Sequence, residues 1–492
     1  MSAGKVWLVG AGPGDRGLLT LKGSSVLAKA DIVAYDALVG LGVLSMIPSS
    51  AEKINVGKRS SNHTMPQEDI SEMLARLALE GKNVVRLKGG DPFLFGRGGE
   101  ELETLAKAGV AFEAVPGVPS PIAIAAYAGI PATHRDFASS LHIITAHTKE
   151  PDKELDYKSI LALGGTLVFM MGLSDLEAIA TGLINAGADP KTPAAVICEG
   201  TMPSQLNAVS DLEGIVEQAK RMGAKAPAII YVGGVCSLAG KLGWREALPL
   251  SGVRAIVTRA SANASSLAEA LRDLGCESIE LPSIKAELLP SGSLIAGIAN
   301  YDWIALTSPT GVEMLFRHLD ALGIDIRGVK AKFASIGKST QAALRRYGIL
   351  SEYTASESNG AAFAEGLSEL VKPNQTLAIA RAREGSSELT EALAQKGVNY
   401  IDIATYETLH VGSDVGMYLE AGFDYILFSS GSAVESFAAS SPQKSFEGIK
   451  ALCIGPTTAK TALGYGFSVE VSNEASIASM VEKLVSLAAS RR

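Results

Sequence analysis

The chain has 492 residues, 47% hydrophobic and 20% charged, an ordinary soluble composition with room for about two to four domains. Lys and Arg number 44 against 52 Asp and Glu, and the net charge of −8 argues against nucleic acid as the main partner, since a phosphate backbone selects a basic face. The longest apolar stretch, around Pro121–Ala132, falls short of the ~20 residues of a membrane span, and Met1–Gly10 lacks a basic segment followed by an apolar core, so neither a membrane span nor a secretory signal is expected.

In chain order, Val6–Val9 is predicted as a strand that feeds the turn Gly10–Asp15 (GAGPGD). Glycines there let a ligand approach the backbone closely. Asp36, after the strand Ile32–Tyr35, would be the ribose acid of a dinucleotide site. The spacing is wrong for that reading. The motif is G-x-G-P-G, and Pro13 removes an N–H where a pyrophosphate needs a donor. The richer cluster follows the strand Val84–Leu87. Gly89–Gly90 turn the chain, then come Asp91–Pro92, an aromatic and apolar pair, Gly96-Arg97-Gly98-Gly99 and an acidic helix start at Glu100–Glu103. Such a loop suits an adenosine-type ligand, with the Asp91 carboxylate and backbone groups as polar contacts and Arg97 at the rim. Glu101 and Glu103 are expected to serve the helix N-terminus.

Further strands are predicted at Leu167–Met170 and Ala228–Val232, then a helical stretch to Trp244. Arg245–Gly252 (REALPLSG) has Pro, Gly and no periodicity, so residues 245–252 are expected as a linker before a new strand at Val253–Thr258. Short apolar runs alternate with amphipathic segments throughout, which predicts an α/β fold with largely parallel sheets. The second half repeats itself. Arg259, Leu267, Glu269, Leu271 and Gly275 recur 122 residues later as Arg381, Leu389, Glu391, Leu393 and Gly397. Thr307–Glu313 (TSPTGVE) recurs at the same offset as Ser429–Glu435 (SSGSAVE). Ile336–Leu344 (IGKSTQAAL) recurs as Ile454–Leu463 (IGPTTAKTAL), starting at an offset of 118 and one residue longer. A duplicated pair of α/β domains follows, and paired domains usually hold a ligand between them.

Cys198, Cys236, Cys276 and Cys453 lie far apart and without CxxC, which predicts buried free thiols in a reducing cytoplasm. No histidine pair has metal spacing, so no metal is expected. His134 alone lies near a motif of interest.

Seven segments together resemble uroporphyrinogen-III C-methyltransferase over residues 4–244. They are Gly10–Gly23, Tyr35–Val39, Val56–Arg59 (VGKR), Lys88–Glu103, Pro116–Ser120 (PGVPS), Tyr127–Asp136 (YAGIPATHRD) and Phe169–Leu173 (FMMGL). The resemblance implies a tetrapyrrole methyltransferase fold of two α/β subdomains, split near 115–140, with S-adenosylmethionine between them and S-adenosylhomocysteine as product. It implies cofactor contacts at Pro13, Gly89, Gly90, Asp91, Leu94, Met171 and Gly200. Pro119 stands where the family usually has Thr and offers neither hydroxyl nor N–H, so that contact falls to Ser120 or is lost. Arg16 stands where Pro or Ala is usual and is expected at the surface. Asp36 is implied as proton acceptor and Lys58 as proton donor. For a substrate with eight carboxylates, Arg59, Arg97 and Arg135 are candidate clamps, each with a surface salt bridge as its alternative. Glu100 is a candidate to face a pyrrole N–H. The resemblance also suggests a homodimer through this half.

Residues 253–489 resemble uroporphyrinogen-III synthase in Ile256–Ala260 (IVTRA), TSPTGVE, the IGKST and IGPTT segments and Tyr406–Thr408 (YET). The resemblance implies a discontinuous fold of 253–284 plus 409–492, with 285–408 as the second domain. The connecting strands are expected near Glu280–Ile284 and Ile401–Glu407. It implies closure of hydroxymethylbilane to uroporphyrinogen III without a cofactor. Tyr406 would assist departure of the hydroxyl, while Ser308, Ser430, Thr457 and Thr458 would contact substrate. Arg259 and Arg381 either touch substrate or pair with acids. Together the halves imply a cytoplasmic bifunctional enzyme making precorrin-2 for sirohaem or cobalamin. The alternatives are a methyltransferase for another corrin position and a non-catalytic tetrapyrrole-binding C-terminal half.

Overall fold

The structure is a computed structural model describing residues 4–57, 65–146, 155–258, 265–281, 284–290, 295, 297–357, 359–410, 415–443 and 445–491. Lys58, Arg59 and Arg259 lie outside the described residues. The chain forms two compact units, Met1–Pro282 with Gly412–Arg492, and Ser283–Val411.

Among the described residues, the first unit holds three sheets. Strands β1 (Lys5–Gly10), β2 (Ile32–Tyr35), β3 (Glu52–Asn55), β4 (Val84–Lys88) and β5 (Ala111–Val115) form a wholly parallel sheet, ordered β3-β2-β4-β1-β5. Its inner strands β1, β2 and β4 are largely buried because helices cover both faces, while the edge strands β3 and β5 are partly exposed. Val6 and Leu8 enter one core with Leu74 and Leu105, while Val9 enters the other with Leu27 and Val43. Strands β6 (Leu141–Thr145), β7 (Thr166–Met170), β8 (Pro193–Cys198), β9 (Leu206–Asp211) and β10 (Ala228–Val232) form the second sheet, ordered β6-β7-β10-β8-β9. Only β6 and β7 pair parallel, so this sheet departs from the expectation of largely parallel sheets, which the others meet. Between β8 and β9 there is only a short loop, and strands joined that way pair antiparallel.

The residues expected as a linker are packed. Arg245 is buried, donating to the carbonyls of Met202 (2.7 Å) and Thr201 (2.8 Å), and Leu250 is fully buried in a core with Val257 and Leu271. Strands β11 (Arg254–Thr258) and β12 (Glu277–Leu281) begin the third sheet. Next in the chain come β13 (Ile284–Leu288), β14 (Trp303–Leu306), β15 (Lys332–Ser335), β16 (Tyr353–Thr354), β17 (Leu377–Ala382) and β18 (Tyr400–His410). These six form the sheet of the second unit, ordered β13-β18-β17-β14-β15-β16, with β13 alone antiparallel. The chain then returns to the third sheet with β19 (Tyr425–Phe428), β20 (Lys450–Cys453) and β21 (Ser468–Val471), all parallel in the order β12-β11-β19-β20-β21.

All four cysteines are free and buried, and burial pushes the Cys236 and Cys453 thiols up to about 12. Among the described residues, no helix is long and apolar enough to cross a membrane, and no group of three or more His, Cys, Asp or Glu could hold a metal ion.

Candidate active site

The loops after β1, β4 and β5 meet at the carboxyl edge of the first sheet, where open α/β folds place their ligands. Gly12 and Gly90 exchange backbone hydrogen bonds of 3.2 and 2.8 Å. A Cβ on Gly10 would collide with the Gly117 backbone, and one on Gly90, whose φ is +66°, would lie 2.9 Å from Ser120 Oγ. Asp91 accepts from the N–H of Phe93 at Oδ1 (2.8 Å) and of Gly117 at Oδ2 (3.0 Å), tying the β4 loop to the β5 loop. The Leu94 N–H donates to the Asp91 carbonyl at 3.3 Å. Ser120 opens the helix Ser120–Tyr127, whose N-cap, Pro119, supplies no side-chain cap.

A second wall comes from the second sheet. Met170 lies opposite Ile229, which lies opposite Ile197, so β7 and β8 end on one edge. Met171 follows β7 with φ +55° and a half-exposed side chain. Glu199 (φ +45°) and Thr201 (φ +73°) flank Gly200 after β8, and a Cβ on Gly200 would lie 2.5 Å from Ile124. Non-glycine residues hold such φ only where neighbours over-determine them, often at ligand sites. Gly14 abuts Met202, and the Asp15 N–H donates to Thr201 Oγ1 at 3.1 Å. Thus Gly90, Asp91, Leu94 and Ser120 are joined through one set of loops, and Gly200 packs on the same helix as Ser120. Pro13 and Gly89 lie on the two loops joined by the Gly12–Gly90 bridge.

Beneath this crevice lies a charged cluster, of which only Asp36 is implied by the family resemblance as a site residue. Arg86 Nη2 meets Asp36 Oδ1 at 2.5 Å, and Arg86 Nε meets Glu101 Oε1 at 3.1 Å. Lys88 Nζ lies 3.1 Å from Glu101 Oε1 and 3.7 Å from Asp36 Oδ2. Glu101 is therefore not a helix cap but a fully buried ion-pair partner. The helix begins earlier than expected, at Gly98, which puts Glu101 on its inner face, while Glu103 is exposed beyond the first turn. The signal was available: Arg and Lys at i and i+2 of an otherwise apolar strand require buried counter-charge.

At the rim, Arg97 and Glu100 bind each other, with Nη2 2.5 Å from Oε2, and that bond raises the guanidinium above its ordinary value. Arg135 is exposed on the turn spanned by the His134–Ala138 bridge, and His134 accepts at Nδ1 from the Asp136 N–H at 3.2 Å. Arg16 is half-buried and paired, not a free surface residue. Its guanidinium meets Glu280 of β12 at 2.5 Å, and Arg272 shares that carboxylate at 3.0 Å. A cavity of about 140 Å³ lies beside this pair, lined by Asp15, Tyr127, Arg245 and Glu277 among others, and none of the expected site residues lines it.

In the second unit, Ser308 caps the helix Pro309–Ala321, accepting from the Gly311 N–H at 2.9 Å, and lies 3.1 Å from the Tyr406 hydroxyl. Tyr406 is buried, which raises its hydroxyl above the ordinary tyrosine value, Ser308 opposing in part. Arg381 pairs with Asp402 through two bonds of 2.9 and 2.7 Å, the acid-paired alternative of the two open for it. In the first unit, Ser430 caps the helix Gly431–Ser440. The helix Pro456–Gly464 starts from Gly455 without a side-chain cap, with Thr457 exposed and Thr458 buried. The repeated segments have nearly the same backbone. Ser308 and Ser430 have φ of −160° and −163°, and Gly337 and Gly455 have −176° and −174°.

Residues 5–215 match the model of the tetrapyrrole (corrin/porphyrin) methylases, and residues 265–482 that of uroporphyrinogen-III synthase HemD. Over 497 residues the chain is 40% identical to a porphyrin biosynthesis protein HemD of Ruminiclostridium josui, covering 99% of both. It is 39% identical over 353 residues to a uroporphyrinogen-III C-methyltransferase of Bacillus subtilis, covering 71% of this chain and 73% of that one. A crystal structure of uroporphyrin-III C-methyl transferase from Thermus thermophilus complexed with S-adenyl homocysteine is 39% identical, covers 48% of this chain and 99% of that one, and has a TM-score of 0.41.

The sequence matches thus define a tetrapyrrole methylase joined to a uroporphyrinogen-III synthase. The chain belongs to the family of HemD-type porphyrin biosynthesis proteins, with methyltransferase and synthase activities on one polypeptide. The methyltransferase family uses S-adenosylmethionine. The residues present fit that group: the crevice is walled by glycine loops packed too closely for side chains, which leaves backbone exposed to a ligand, beside the Asp91 carboxylate and the half-exposed Met171.

Proposed function

We propose that the chain performs two consecutive steps, closing hydroxymethylbilane to uroporphyrinogen III and methylating it twice to precorrin-2. The observation that carries the methylation step is Asp36, held at the crevice edge by Arg86 and Lys88. Pro13, Gly89, Gly90, Asp91, Leu94, Ser120, Met171 and Gly200 would hold S-adenosylmethionine, which when bound supplies an electrophilic methyl group. The protein's own part is alignment of the reactants, worth several kcal/mol, and proton handling. After methylation, Asp36 takes a proton from a ring N–H or bridging carbon of the substrate, since the methylated carbon already bears a side chain and has none to lose, and Lys58 supplies a proton to the ring. Arg59 and Arg135 bind substrate carboxylates, as does Arg97 when it exchanges Glu100 for a propionate.

For the cyclisation, Tyr406 donates to the departing hydroxyl, with Ser308 fixing its orientation. Ser430, Thr457 and Thr458 offer short donors to the carboxylates at little entropy cost. We read residues 1–244 as the methylase, 245–252 as a packed connection, and 253–284 with 409–492 plus 285–408 as a duplicated synthase pair. The matched backbone at Ser308 and Ser430, and at Gly337 and Gly455, supports the duplication. The family resemblance supports a homodimer through the methylase half, and the buried thiols suit a reducing cytoplasm.

Product analysis tests both steps. With hydroxymethylbilane alone, oxidation of the product should give uroporphyrin III, and uroporphyrin I alone would sink the synthase reading. With uroporphyrinogen III and S-adenosylmethionine, the product should gain two methyl groups by mass, and no gain would sink the methylase reading.

A further inference from the structure

We propose that Glu101, which is shut off from the crevice, is a positioning residue for methyl transfer: it anchors Arg86 and Lys88 from behind and through them fixes the Asp36 carboxylate. This rests on the reading of Asp36 as proton acceptor.

Four charged side chains run inward from the crevice in order of burial. Asp36 follows β2, and its side chain keeps 28% of its exposure. Arg86 and Lys88 project from one face of the neighbouring β4 and are almost fully enclosed. Glu101, on the helix Gly98–Lys107, has no exposure at all. A single oxygen, Glu101 Oε1, gathers three donors: Arg86 Nε (3.1 Å), Lys88 Nζ (3.1 Å) and Gln67 Nε2 (2.8 Å). Each cation is thus shared between an inner carboxylate and an outer one. The Asp36 backbone is held as well, its N–H donating to the Leu87 carbonyl at 3.2 Å.

Stability does not explain such a cluster. Charges taken out of water often stabilise a fold no better than apolar side chains of the same volume. What the cluster supplies is direction. Arg86 presents a planar fork, and with Nε fixed by Glu101 its Nη2 can point only at Asp36. Lys88 is likewise held at bonding distance from Glu101 and stands off from Asp36 at 3.7 Å. Without the inner charge, both cations would have Asp36 as their sole acid in the cluster. Lys88 would close on it and draw the carboxylate inward, away from the substrate.

The test uses the full-length chain, with Glu101→Gln, Asp36→Asn and the double variant assayed on uroporphyrinogen III. Glu101→Gln should lower kcat by about tenfold or more. KM for the porphyrinogen and the Kd of S-adenosylhomocysteine should stay within about twofold, since the cofactor wall is untouched. Because Glu101 acts through Asp36, the double variant should be no slower than Asp36→Asn. Glu101→Asp, which keeps the charge on a shorter stem, should recover part of the rate. Equal losses of kcat and cofactor affinity in Glu101→Gln, or losses that multiply in the double variant, would overturn the proposal. Full activity in Asp36→Asn would instead remove the proton-acceptor reading itself. If Glu101→Gln does not fold, Gln67→Ala leaves every charge in place and removes one bond to the same oxygen. It should lower kcat about two- to threefold at unchanged cofactor affinity, and an unchanged kcat there would overturn the proposal.

Discussion

At the carboxyl edge of the first sheet, Arg86, Lys88, Glu101 and Asp36 gather four charges largely below the surface. In the C-terminal half, each unit instead carries hydroxyls at helix N-termini: Ser308, bonded to Tyr406, in one, and Ser430 and Thr458 in the other. Both arrangements suit a polycarboxylate, by different means. Buried charges need a rigid frame and mutual neutralisation, which a sheet covered on both faces provides. Hydroxyls and backbone N–H groups need only correct placement, since short side chains lose little entropy when fixed. A defect in the first region should therefore act through charge and geometry, and one in the second through loss of a single donor.

The largest expected effect is on methyl transfer. Asp36→Asn should slow incorporation of labelled methyl groups by roughly 10²–10⁴-fold and leave cyclisation of hydroxymethylbilane at its normal rate. Loss of both rates together would break the separation between the regions. Next comes Tyr406→Phe, which should lower cyclisation by about tenfold or more and spare methylation. The pH dependence sharpens this. Burial raises the Tyr406 hydroxyl, so the folded protein keeps that proton after an unfolded chain has lost it. Its contribution to stability is fully present below the unfolded value near 10 and is lost only as pH rises through the raised one. Cyclisation should accordingly show no alkaline limb at the ordinary tyrosine value, and a limb there would count against Tyr406 as the donor.

Smaller effects follow. Asp91→Ala leaves the Phe93 and Gly117 N–H groups without their acceptor and should weaken S-adenosylhomocysteine binding by about tenfold in calorimetry. Unchanged affinity would mean that the β4 loop does not form the cofactor wall. Smallest is Arg16→Ala, since Arg272 stays on Glu280. A loss of about 1 kcal/mol in denaturant unfolding is expected, with both activities retained.

The Gly-rich loops were legible in the sequence because close backbone contact excludes side chains. Gly10, Gly90 and Gly117 stand where a Cβ would strike a neighbour. Short apolar runs likewise placed β2 and β10 at Ile32–Tyr35 and Ala228–Val232. The direction of β8, β9 and β10 was not legible, because apolar runs carry no strand direction. Glu101 was misread for a related reason: an acid near a helix start has the same letter whether it caps or pairs inward, and only the face of the helix decides. Arg16 looked like a surface substitution because its partner, Glu280, lies 264 residues away. At the rim, pairing of Arg97 with Glu100 is a local i, i+3 contact that the sequence allowed but did not require.

The most direct measurement supplies hydroxymethylbilane and S-adenosylmethionine to the intact chain and to Asp36→Asn, with products resolved by chromatography and mass. The intact chain should yield a product two methyl groups heavier than uroporphyrinogen III, and Asp36→Asn should accumulate unmethylated uroporphyrinogen III. Uroporphyrinogen I from both proteins, or full methylation by Asp36→Asn, would contradict two separate sites acting in sequence on one polypeptide.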